Sequence, residues 1–100
     1  MQPQTILDKM REYIQDFRAQ LAKKDRDALH TLTANTGSFF RELISELPET
    51  AVAGREVRIF ADCVERFGTA CSQDNWEAAA ETLSDMEDIA LVVQNQCSLR

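Results

Sequence analysis

The chain has 100 residues, of which 44% are hydrophobic and 28% charged, with a net charge of −6 and an isoelectric point near 4.7. A chain of this length makes one domain, and it buries roughly 60–70% of its unfolded surface, enough for one core without metals or disulfides. The acidic balance argues against direct binding to nucleic-acid phosphates, which takes clustered Lys and Arg, and leaves a basic partner or plain solubility as its meaning.

Pro3 and Thr5 open a first helix, with Thr5 and Asp8 in the spacing of a capping box. Leu7, Met10, Ile14, Phe17 and Leu21 then step by threes and fours, which draws one apolar stripe along a helix. The charged run Lys23–Asp27 interrupts the pattern, and Asp25 is placed to cap the next helix. That second helix carries Leu29, Leu32, Thr36, Phe39, Phe40, Leu43 and Leu47. Gly37 lies inside it, where a glycine costs about 1 kcal/mol relative to alanine. The three-four spacing persists across Gly37, so the reading is a continuous or kinked helix, ended by Pro48.

Residues 48–54 form the only substantial loop. A third helix follows with Val57, Phe60, Val64, Phe67 and Cys71 on its stripe. A polar turn at 72–75, with Asp74 or Asn75 as cap, leads into a fourth helix carrying Ala79, Leu83, Met86, Ala90 and Val93. The two halves match in pattern when shifted by fifty residues, although Phe17 with Phe67 and Ala28 with Ala78 are the only identities. Short loops make antiparallel neighbours. The expected fold is therefore all-α: an antiparallel, up-down-up-down four-helix bundle of two similar hairpins. Hairpin one spans about 5–47 and hairpin two about 55–95, followed by a short C-terminal tail.

Cys63, Cys71 and Cys97 are an odd number with no Cys-x-x-Cys pair, and Cys63 and Cys71 are too far apart on one helix to bond. They read as small buried hydrophobes in a reducing compartment. A zinc site would need a fourth ligand that the sequence does not supply. The first 17 residues carry charges inside any apolar run, so they do not read as a signal peptide. No run approaches 18 apolar residues, so no membrane span is expected and the expected location is the cytoplasm.

The single histidine, His30, heads the stretch His30-Thr31-Leu32-Thr33-Ala34. This resembles the acceptor helix of histidine phosphotransfer domains, which are helical bundles with a His-x-Leu-Lys-Gly pattern. The histidine and leucine match. Thr33 stands in place of the lysine that holds phosphoryl charge, and Ala34 in place of the glycine that admits the receiver domain. The resemblance implies His30 as acceptor. Read from spacing alone, His30 lies about 100° from Leu29, at the edge of the apolar stripe.

Helix four carries the stronger signal. Asp74, Glu77, Glu81, Asp85 and Asp88 step by three, four, four and three. Along the helix, Glu77, Glu81, Asp85 and Asp88 point about 160–240° from the Ala79 direction at about 100° per residue, away from the core. No Lys or Arg occurs from Gly68 to Leu99. Like charges one turn apart oppose helix formation, so the stripe is either a solvated face or a docking surface for a basic partner. Trp76 lies about 60° off the core stripe, either covering the bundle end or anchoring a partner. Ile89-Ala90-Leu91-Val92-Val93 is apolar nearly all round, which makes Ile89, Leu91 and Val92 candidates for an oligomer face.

Two segments, Leu21–Leu32 and Cys71–Leu83, are also similar to the turn-and-helix units of flagellar and type III export chaperones. The resemblance implies a small acidic partner-binding protein and assigns no residue a role. The sequence therefore points to a non-enzymatic protein-interaction module, of adaptor, chaperone-like or inhibitor type. It would dock a basic partner through Asp74, Glu77, Glu81, Asp85, Asp88 and Trp76, with no cofactor, metal or catalytic residue expected. A degenerate phosphotransfer domain using His30 and a structural subunit that forms a homodimer are the alternatives.

Overall fold

A computed structural model of the chain describes residues 2–98. Four helices run α1 Pro3–Lys23, α2 Arg26–Glu46, α3 Gly54–Ser72 and α4 Trp76–Ser98. They form a ring: α1 packs on α2 and α4, α3 packs on α2 and α4, and the backbones of the two diagonals stay apart. The molecule measures 40 × 24 × 17 Å. Its length is one helix plus turns, and its section is two helix diameters each way. This is the expected antiparallel four-helix bundle.

The two hairpins are built alike. Each hairpin turn holds a residue in the left-handed region, Lys24 at φ 53° and Asp74 at φ 56°. The next residue caps the following helix. Asp25 Oδ1 accepts from the Ala28 amide at 3.1 Å, and Asn75 Oδ1 accepts from the Ala78 amide at 3.2 Å. All four positions keep the fifty-residue shift, as do the buried pairs Leu7/Val57, Met10/Phe60, Ile14/Val64, Phe17/Phe67, Leu29/Ala79 and Leu43/Val93.

The core is aromatic at its centre. Phe17 of α1 meets Phe67 of α3 with ring centroids 4.7 Å apart, and Phe40 of α2 meets Phe60 of α3 at 4.8 Å. Helix pairs also come close through small residues. A Cβ on Gly68 of α3 would lie 2.6 Å from the Thr33 methyl of α2. The 48–53 connection is held by Arg58, whose guanidinium donates to the Gly54 carbonyl at 2.8 Å and the Leu47 carbonyl at 3.0 Å. The second bond occupies a carbonyl that the end of α2 leaves without a helical partner.

Two local expectations need correction. The Thr5–Asp8 capping box does not form: α1 starts at Pro3, and Asp8 instead accepts from Gln4 Nε2 at 3.1 Å. Proline at the first helical position has no amide to satisfy and a preset φ, so the start moves forward. At Gly37 the expectation of a helix that continues holds: α2 is helical from Arg26 to Glu46. The expected C-terminal tail after 95 is helical as far as Ser98, while residues 99 and 100 lie outside the described residues.

Candidate interaction face on helix four

The Asn75 cap and the buried line Ala79, Leu83, Met86, Ala90 and Val93 fix the rotation of α4. The opposite line must then face solvent, and Glu77, Glu81, Asp85 and Asp88 are all exposed. Among the described residues none of these four carboxylates has a cation within ion-pair distance. Two neighbours are engaged instead. Asp74 pairs with Arg26 Nε at 3.4 Å, and Glu87 pairs with Arg18 of α1. Asp74 therefore sits apart from the stripe, in an exposed turn tied to the start of α2.

The field of Asp85 reaches α3. Burial pushes the Cys63 thiol up, the Arg66 guanidinium donating to its Sγ at 3.1 Å pulls it back, and Asp85 and Asp62 add to the rise. Cys71, two turns further along α3, is pushed up to about 11 by burial. All three cysteines are free thiols, with Cys97 half-buried.

The apolar residues expected on this helix divide. Trp76 is half-buried against the core, and so is Ile89. Leu91 and Val92 are 56% and 45% exposed. Leu91 borders a hollow of about 330 Å³ between α1 and α4, together with Arg11, Arg18 and Glu87. A third exposed residue, Ile59 at 43%, comes from α3 and was not singled out in the sequence. Its signal was there: it lies about 100° off Phe60, outside the α3 stripe.

His30 is exposed and borders a depression of about 1000 Å³ between α2 and α3. The lining is mixed in sign, with Lys24 and Arg26 alongside Asp27 and Glu65. Arg26 crosses one end of it by donating to the Ser72 carbonyl at 2.9 Å. Among the described residues no group of three or more His, Cys, Asp or Glu side chains is arranged to hold a metal ion. None of the helices described is long and apolar enough to cross a membrane. Comparison with family models, with curated proteins and with solved structures gives no match.

Proposed function

We propose that this protein is a small protein-interaction module that docks a partner with a basic surface through the outward face of α4. The observation that supports it most is the line Glu77, Glu81, Asp85, Asp88, exposed and without a cation among the described residues. Like charges one turn apart each work against the helix by a few tenths of a kcal/mol. A basic surface would reverse this penalty. Charges of this kind set encounter rate and orientation, and exposed Leu91 and Val92 supply apolar contact. The reading is of a binding protein without catalysis, and its free thiols support a reducing compartment such as the cytoplasm.

The test is co-purification from native lysate at low and high salt, comparing wild type with a Glu77→Lys, Glu81→Lys, Asp85→Lys variant shown by circular dichroism to be folded. A partner held by wild type, released by salt and lost in the variant is the expected result. Identical partner lists reduce the stripe to a solvated face. The exposure of His30 beside the α2/α3 depression favours phosphotransfer as the second reading. Acetyl-phosphate labelling of wild type, absent from His30→Gln, would put it first.

A further inference from the structure

The seam between α3 and α4 carries an apolar spot beside the acidic line. Gln96 Nε2 of α4 donates to Glu56 Oε1 of α3 at 2.9 Å. Ile59 lies one turn along α3 from Glu56, and Val92 one turn back along α4 from Gln96. The helices are antiparallel neighbours, so Ile59 and Val92 stand at the same level on opposite lips of the seam. Half-buried Ile89 lies one further turn along α4, on the side facing α3. Ile59 and Val92 are two of the three large hydrophobic residues that stay exposed among the described residues. Asp85 and Asp88 flank the spot, and Glu81 and Glu77 continue the acidic line away from it.

We infer that the α3/α4 seam takes an amphipathic basic helix of the partner, its apolar side chains on Ile59 and Val92 and its Lys or Arg side chains against Asp85, Asp88 and Glu81. This rests on the reading that the acidic face of α4 is a docking surface, and it specifies the occupant. Charge complementarity argues against a second copy of this acidic chain, because parallel copies would set carboxylate against carboxylate. It argues equally against a purely apolar segment. Two packed helices present a groove along their seam that a third helix fills by ridge-into-groove packing, and anchors three or four residues apart are the helix-in-groove pattern. Val92 and Glu77 are 15 residues apart, about 22 Å along a helix, so about four turns of partner helix cover the face.

The experiment uses the full chain and two synthetic 18-residue peptides of one Leu/Lys composition. One has Leu at helical three-four spacing and the other is scrambled. Binding is read by fluorescence anisotropy and by amide shift mapping. The expected result is at least tenfold tighter binding of the amphipathic peptide, with shifts grouped around Ile59, Ile89 and Val92. Ile59→Ser with Val92→Ser should weaken it tenfold or more, and so should Asp85→Lys with Asp88→Lys. Both substituted pairs are exposed, and shift mapping on wild type does not depend on either variant folding.

Equal binding of the two peptides, unaffected by the serine pair, would overturn the inference while leaving the acidic docking face standing. Loss with the serine pair but not with charge reversal would overturn the basic character of the partner, and with it the reading of α4. Self-association of wild type in sedimentation, abolished by the serine pair, would make the occupant a second copy and overturn the inference as well. So would shifts confined to the α1/α4 hollow or the His30 depression.

Discussion

Phe17 and Phe67 occupy equivalent positions in the two hairpins and meet each other, ring centroids 4.7 Å apart, across a diagonal on which the α1 and α3 backbones stay apart. The contact joins the halves at the centre of the bundle. Truncating either ring to alanine leaves a cavity in a fully buried site, and such changes remove about 3–5 kcal/mol. In a double-mutant cycle the two losses should be non-additive by 0.5 kcal/mol or more in urea unfolding, roughly the scale for residues in contact.

The glycines should respond to alanine with opposite signs. Gly37→Ala adds a methyl group in open space, its nearest neighbour being Arg41 Nη2 at 4.0 Å. It should stabilise α2 by about 0.5–1 kcal/mol. Gly68→Ala drives a Cβ to 2.6 Å from the Thr33 methyl and should destabilise by about 1–3 kcal/mol. Thr33→Ser, which removes that methyl, should recover part of the loss. Gly54→Ala would meet the Pro48 carbonyl oxygen at 2.3 Å, a backbone atom that cannot turn away, and should be the worst of the three. Thermal melts followed by circular dichroism rank them.

Lys24 holds a left-handed conformation at φ 53° with a side chain that penalises it. Lys24→Gly should raise stability by up to about 0.5–1 kcal/mol. Asp25→Ala and Asn75→Ala should each lower it by about 1 kcal/mol, since each removes the acceptor for a first-turn amide. Matching losses at the two caps would show in urea midpoints that the hairpin turns are energetically equivalent.

Alkaline stability should carry the signature of Cys71. Burial raises its pKa from 9.0 to about 11 in the folded chain. Above pH 9 the unfolded chain therefore loses this proton before the folded chain does, and stability falls as pH rises until the folded thiol also ionises near 11. Below pH 9 the group contributes no slope. Urea unfolding of wild type between pH 8 and 10.5 should show a steeper decline than that of Cys71→Ala.

Charge reversal on α4 should not unfold the protein. Glu81→Lys and Asp85→Lys break a run of like charges and place cations on a helix that has no Lys or Arg in its described length. Each should raise stability by about a few tenths of a kcal/mol. A melting temperature equal to or above that of wild type would check this.

The helices were legible because each buried stripe repeats at three and four residues, and burial of Leu7, Phe17, Phe67 and Val93 follows those stripes. The acidic line was legible for the same reason: once Ala79 and Met86 face inward, Glu77 and Asp88 must face out. What spacing does not encode is how neighbouring helices are rotated and set against each other. Ile89 reads as free along its own helix, but it is half-buried against the core, and Ile59 is left exposed on α3. The approach of Gly68 to Thr33 and the reach of Arg26 to Asp74 likewise depend on residues far apart in sequence meeting in space.

The ring arrangement of the helices has one more consequence. Gln4 and Leu7 near the start of α1 and Cys97 and Ser98 at the end of α4 border one small hollow, so the two ends of the described chain meet. Glu49 and Thr50, in the α2–α3 loop at the same end of the bundle, are exposed. Hairpin order is thus nearly interchangeable. A circular permutant opened between Glu49 and Thr50 and joined across the α1–α4 hollow would keep all four seams and present the same face of α4, now in the first half of the chain.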